Sequence, residues 1–197
     1  HEQLIGKIIE EKAPGFPYCL SVNVLPEIKE YERTSTTVIN AYLLPVVSKY
    51  LNSLISELGS CKVTAPLLLM QSNGGLTSAQ RSIELPCNII ESGPAGGVVG
   101  AHALATKLEL GDVVTFDMGG TTAKASLIER GEYSRAVDFS VGAGIMSGSR
   151  LLTGAGYRLK VPAIDLAEVG AGGGSIISVD AGGAMVVGPK SAGANPG

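Results

Sequence analysis

An apolar run that ends in an acid, two glycines and two hydroxyls admits few backbone paths. Residues Val113 to Lys124 (VVTFDMGGTTAK) form such a run. Val113, Thr115 and Asp117 fall on one face of an extended chain and Val114, Phe116 and Met118 on the other, because strand side chains alternate. The glycines turn the backbone sharply, and Ala123, Ala125 and Leu127 restart the alternation. The pattern predicts a strand, a tight loop rich in free N–H groups, and a returning strand. Such N–H groups, with the Thr121 and Thr122 hydroxyls, suit phosphate oxygens, and the Asp117 carboxylate beside them suits Mg²⁺ or a water. A plain β-hairpin with a glycine turn explains the same residues, so the surrounding chain has to decide.

Composition removes several classes. At 197 residues the chain holds one or two domains with room for a core. A net charge of −3 with 17% charged residues gives no basic excess for nucleic acid. No apolar run approaches the roughly 18 residues that span a bilayer, and no charged-then-apolar leader opens the chain, so no membrane role is expected. Cys19, Cys61 and Cys87 are odd in number without a CxxC spacing, which points to a reducing, cytoplasmic compartment. With His1 and His102 the only histidines, a His-rich zinc site or a Ser-His-Asp triad is not expected. Residue 1 falls inside a helical pattern and the last residues inside a loop, as expected of a piece of a longer protein.

Before the hairpin, Leu4, Ile5, Ile8 and Ile9 predict a short amphipathic helix ended by Pro14-Gly15. Tyr18 to Leu25 alternates loosely and predicts a strand. The hydroxyl run Thr34 to Thr37 is suited to cap a long helix that ends near Gly59, with a kink or break at Pro45. Arg33, Thr36 and Asn40 form either a polar cluster facing a ligand or a cap with a solvated face. Ala65 to Met70 reads as a buried strand. Asn73 and Gly74 follow it, where α/β sheets bind ligands, although a plain turn explains them equally.

The 27 glycines have no Gly-X-Y period and mark turns and close backbone approaches. In Glu91-Ser92-Gly93-Pro94-Ala95-Gly96-Gly97, Ser92 is placed as a helix cap and Pro94 as the first helical residue. Each glycine inside that helix costs about 1 kcal/mol relative to Ala. Close packing suits Gly100, and approach of a ligand to the positive helix end suits Ser92 to Gly97. Tyr133 to Phe139 reads as a third strand, 142–156 as a glycine- and serine-rich surface or substrate loop, and Val161 to Leu166 as a short strand. Four glycines within 170–174 favour backbone contact with a nucleotide. The chain then enters an apolar strand that pairs back through Gly182-Gly183. No GxxxxGK[ST] and no framed GxGxxG occurs. Several glycine loops at strand or helix ends suggest one cleft for a polyanion.

Asp117-Met118-Gly119-Gly120-Thr121-Thr122 resembles the phosphate hairpin of the actin-like ATPase superfamily. The neighbouring motifs narrow the likeness: SVNVLPE at 21–27, YERTSTT at 31–37, QSNGG at 71–75, ESGPAGG at 91–97, GAGGGSI at 170–176 and VGPKSAGA at 187–194. Together they resemble the hydantoinase A/5-oxoprolinase family, in order and over nearly the whole chain. The resemblance implies an α/β, ribonuclease-H-like lobe with a mixed sheet flanked by helices. That lobe would occupy 61–197, incomplete at its C-terminus, behind a helical connecting segment at 1–60. An earlier acidic Gly-Gly-Thr hairpin, found in the family, is absent here.

The resemblance further implies ATP with Mg²⁺ (or Mn²⁺), and ATP-dependent opening of a cyclic amide such as a hydantoin or 5-oxoproline through phosphorylation of the amide oxygen. Asp117 and Thr121 would be catalytic, with Asp117 also the metal acid. Gly119, Gly120, Thr121 and Thr122 would hold phosphate, with Ser92, Gly93 and Gly96 from the helix start. Gly172, Gly173, Gly174 and Ser175 would lie along the nucleotide, and Asn73, Gly74, Arg33 and Asn40 would line a cleft. Many relatives carry an acid where Lys124 stands. Lys124 therefore either touches phosphate or faces solvent, and its presence suggests the hydantoin-utilisation branch. A B-type subunit is the implied partner, and a homo-oligomer is compatible. No general base is evident, which fits half of a site. Two other readings stay open: an ATP-hydrolysing subunit of a ketone carboxylase, and a non-catalytic nucleotide-binding module.

Overall fold

The structure, a computed structural model, describes residues 1–141 and 156–193. Most of the glycine- and serine-rich segment 142–156 therefore lies outside the described residues. The first helix, α1 (Glu2–Lys12), forms as the apolar spacing predicts. The expected strand at Tyr18 to Leu25 is instead a single helical turn, α2 (Ser21–Val24). Polar contacts override the loose alternation there. The Ser21 hydroxyl and Val22 N–H both donate to the Glu2 carboxylate, at 2.7 and 3.1 Å.

The long helix α3 (Glu30–Ser60) starts before the hydroxyl run, with Lys29 at its N-cap, and continues through Pro45 without a break. Thr34 to Thr37 therefore lie inside the helix and do not cap it. Thr37 Oγ1 satisfies itself on the Arg33 carbonyl one turn back, at 2.7 Å. Packing outweighs the N–H missing at Pro45, since Thr36 and Asn40 are buried before it and Leu51 after it. By length and composition α3 is long and apolar enough to cross a bilayer, which corrects the reading that no segment is. Here it packs along other elements of the chain.

Next come β1 (Leu68–Met70) and β2 (Leu76–Ser78), an antiparallel hairpin shorter and less buried than expected. Pro66 cannot donate to a ladder, so the strand begins after it. The Ser78 hydroxyl caps α4 (Ala79–Glu84), and a 3₁₀ turn (Pro86–Ile89) leads to α5 (Ser92–Lys107). Helix α5 opens two residues earlier than expected. Glu91 is its N-cap and Pro94 already lies within the first turn, where its missing N–H leaves no bond unmade.

The predicted central hairpin is β3 (Val113–Met118) and β4 (Ala123–Glu129), in unbroken register from Val113↔Ile128 to Met118↔Ala123. The expected third strand is divided into β5 (Glu132–Tyr133), β6 (Arg135–Ala136) and β7 (Phe139–Val141), because each piece pairs with a different partner. Then follow β8 (Tyr157–Leu159), β9 (Ala163–Ile164), β10 (Ala167–Val169) and the hairpin β11 (Ser175–Val179) and β12 (Met185–Ser191). The main sheet runs β10-β4-β3, with β5 also on β4.

Every strand pair among the described residues is antiparallel, so the mixed sheet implied by the resemblance is not seen there. The pairs β1–β2, β3–β4, β4–β5 and β11–β12 are joined by short turns, and parallel neighbours need long crossovers. Helix α5 packs on the face of β3 and β4 that carries Thr115 and Asp117. The opposite face leaves Val114, Phe116 and Met118 more than half exposed.

Two apolar clusters hold the chain together. Cys87, Phe139, Leu159, Val161 and Ala163 pack beside α3, and Ala95 and Val98 of α5 pack with Ile164. The N-terminal 60 residues join the remainder through hydrogen bonds of the buried Thr36 and Asn40 side chains as well. Thr36 Oγ1 accepts the Lys160 N–H at 2.9 Å, and the Asn40 amide donates to the Glu84 carbonyl at 3.1 Å.

Candidate functional site

The loop between β3 and β4 closes on itself through one hydrogen bond, Gly119 N–H to the Thr122 carbonyl at 2.9 Å. Among the described residues the N–H groups of Gly120, Thr121 and Thr122 have no hydrogen-bond partner, and Gly120 and Thr121 are exposed. Three donors on consecutive residues in one turn can converge on a single anionic oxygen set. Asp117 leads into this loop. Its carboxylate is exposed and forms no ion pair among the described residues.

The glycine loop 170–174 meets the hairpin backbone to backbone. Gly173 and Gly174 donate to the Gly119 and Gly120 carbonyls, both at 2.8 Å. Gly172 N–H goes to Ser175 Oγ at 3.0 Å, and Ser175 N–H returns to the Gly172 carbonyl at 2.9 Å. A Cβ on Gly172 would lie 2.6 Å from the Gly119 oxygen, so glycine is required by the approach of the hairpin. The N–H groups of Gly172, Gly173, Gly174 and Ser175 are thus committed inside the protein, where they back the hairpin.

The start of α5 faces the same region. Pro94, Gly97, Val98 and Ala101 border a groove of about 290 Å³ with Thr115, Asp117, Lys124 and Leu166. Ser92 and Gly93 stand at the positive end of the helix, where an anion is favoured. Gly96 makes an ordinary contact with Met70, whereas Gly93, Gly97 and Gly100 have no protein atom within 4 Å of a would-be Cβ. Close packing therefore does not account for Gly100.

Lys124 neither reaches the hairpin loop nor faces solvent. It sits in one cross-strand row with Glu168 on β10 and Asp117 on β3. Its ammonium lies 3.3 Å from Glu168 Oε1 and 3.6 Å from Glu91 Oε2, with its side chain 18% exposed. Burial raises the Glu91 carboxyl above its usual range; Lys124 opposes that shift, and the Glu168 charge adds to it. Glu91 and Glu168 went unrecognised in sequence because they occupy distant segments. The one available signal was an acid inside the short alternating run Ala167–Val169.

The remaining candidates lie elsewhere. Asn73 Oδ1 accepts the Gly75 N–H at 2.8 Å, and Gly74, at φ +84°, packs against Val99, Ile164 and Tyr133. Ser72, beside them, is fully buried. It donates to the Asn88 carbonyl and accepts the Glu91 N–H, fixing the approach to α5. Arg33 binds Glu2, Ser21 and the Glu27 carbonyl. Asn40 is fully buried, holding the Glu84 carbonyl and the Cys87 N–H. These four residues take structural partners and do not border the groove. No cluster of three or more His, Cys, Asp or Glu suited to a metal occurs among the described residues, so Asp117 would hold a cation together with ligands from outside the protein.

Comparison with known proteins gives these features a family. The chain is 46% identical over its full length to an uncharacterised protein of Methanocaldococcus jannaschii, covering 29% of that protein. It is 39% identical to the caprolactamase subunit alpha of Pseudomonas jessenii, again over all of this chain and 26% of the relative. The solved structure of an ATP-dependent caprolactamase from the same organism superposes with a TM-score of 0.71 at 36% identity, covering 100% of this chain and 27% of the other. A nucleotide-free acetone carboxylase also gives a TM-score of 0.71, at 28% identity, over 98% of this chain and 25% of that one. The chain thus spans less than a third of the length of these relatives. A family model described as hydantoinase/oxoprolinase matches residues 33–197, and the chain belongs to that family.

Proposed function

We propose that this chain forms the phosphate-holding lobe, of ribonuclease-H-like (actin-like ATPase) type, in an ATP-dependent enzyme that opens a cyclic amide. One observation carries the reading. Three unpartnered N–H groups, on Gly120, Thr121 and Thr122, stand beside an unpaired carboxylate, Asp117, at the head of α5. That donor set fits a polyphosphate with its divalent cation. When bound, ATP with Mg²⁺ or Mn²⁺ would supply the phosphoryl group that makes an unreactive amide oxygen a leaving group. Gly120, Thr121 and Thr122 fix the position of phosphate oxygens through N–H and hydroxyl donors. Asp117 orients the cation or a water, and Ser92 and Gly93 add the positive end of α5. Gly172 to Ser175 hold the hairpin in shape from behind.

The amide class follows from the likeness to caprolactamase and from the hydantoinase/oxoprolinase family. In this reading a second, B-type subunit completes the enzyme, in a cytoplasmic setting. Substrate-stimulated ATP hydrolysis by the protein with its partner tests it. Lactam, hydantoin or 5-oxoproline rings should raise ATP turnover, and a stimulation confined to ketone plus bicarbonate would refute the amide assignment. That second outcome is the carboxylase reading, which the likeness to acetone carboxylase favours. ATP binding without stimulation by either substrate class would leave a non-catalytic module.

A further inference from the structure

The sheet register presents Lys124 with two acids, Asp117 on one side and Glu168 on the other, all on the face beneath α5. The ammonium goes to Glu168, and Glu91 closes over it from the N-cap of α5. The Glu91 and Glu168 side chains are only 9 and 7% exposed. Glu91 Oε2, the oxygen that faces the ammonium, and Glu168 Oε2 are buried and accept no hydrogen bond. Two carboxylates thus hold one ammonium, while the third acid of the group, Asp117, stays exposed and unpaired.

We propose that Glu168 and Glu91 are positioning residues that hold Lys124 Nζ away from Asp117, so that Asp117 keeps an uncompensated charge for a divalent cation. The assignment rests on the nucleotide-site reading above for its consequence, and on geometry alone for the clamp. A hard cation needs anionic oxygens, and an ammonium placed on Asp117 would cancel the charge it requires. Lysine has four rotatable carbons and no fixed fork, so the same side chain reaches either cross-strand neighbour. The two carboxylates decide which neighbour it takes.

The test compares the full wild-type chain with Glu91→Gln/Glu168→Gln and with the same double variant carrying Lys124→Met. In crystals of the double variant, Lys124 Nζ should move to within about 4 Å of the Asp117 carboxylate. Mn·ATP affinity should fall at least about tenfold, the scale seen when residues supporting a metal ligand are removed. Adding Lys124→Met should restore it, which a merely structural role of the two acids would not allow. Should the double variant fail to fold, Lys124→Met alone decides, because it should bind Mn·ATP at least as tightly as wild type. Lys124 staying away from Asp117, affinity not restored by Met, or weaker binding by Lys124→Met would each overturn the clamp. If wild type itself binds no Mn·ATP, the nucleotide reading fails, and the Lys124 position in the double variant still decides the clamp.

Discussion

Gly174 donates its N–H to the carbonyl of Gly120 at 2.8 Å, and this bond, repeated one residue earlier between Gly173 and Gly119, joins the second glycine loop to the hairpin tip. The loop's glycines serve that approach. In Gly172→Ala the new methyl would meet the Gly119 oxygen at 2.6 Å and the Thr122 nitrogen at 2.7 Å, both backbone atoms with little freedom to move. Overpacking of this kind costs about 1–3 kcal/mol. Gly100→Ala, in open space inside α5, should instead add up to about 1 kcal/mol. Urea denaturation of the two variants should therefore shift in opposite directions, and equal effects would contradict the assigned roles.

Asn40 gives the contrasting case of a polar residue with a structural task. Asn40→Ala leaves the Glu84 carbonyl and the buried Cys87 N–H without partners, a loss of about 1–3 kcal/mol. Mn·ATP affinity of the folded variant should match wild type. A selective loss of affinity at unchanged stability would return Asn40 to the ligand site.

The hairpins were legible in sequence because alternation and paired glycines are local signals, and Val113 to Lys124 folds as those signals dictate. The strand expected at Tyr18 to Leu25 failed because tertiary contacts outweighed local pattern: Glu2 draws Ser21 and Val22 into a helical turn. Contacts likewise carry α3 past Pro45 without a break and take up the N–H groups of Gly172 to Ser175 inside the protein. The Lys124 cluster was hidden for another reason. Its acids come from β10 and the N-cap of α5, and only the assembled sheet brings them to one ammonium.

The pH dependence of stability should carry the mark of Glu91. Its folded carboxyl lies above 4.5, raised chiefly by burial, so from about pH 4.5 upward the folded state holds more protons than the unfolded. Stability contributed by this group is present at acid pH and is lost as pH rises through the folded value. Denaturation series from acid to neutral pH should show that decline in wild type, flattened in Glu91→Gln. A limb of equal slope in the variant would assign the dependence to other groups.

The three free cysteines should separate by rate in thiol labelling. Burial pushes the Cys87 thiol up to about 12 and leaves it 1% exposed, so it should react only when the chain opens. Cys61 is exposed and should label first. Pulsed alkylation with mass spectrometry reads both rates, and fast labelling of Cys87 would show that the cluster beside α3 is open in solution.

The central claim is that the loop between β3 and β4 holds phosphate. Titrating Mg·ATP into the ¹⁵N-labelled chain and following backbone amide resonances tests it without requiring turnover. The largest shifts should fall on Gly120, Thr121 and Thr122, with smaller ones at Ser92 and Gly93, and should vanish in Asp117→Asn or when Mg²⁺ is withheld. Shifts centred elsewhere, or none at these five amides at saturating Mg·ATP, would contradict the account.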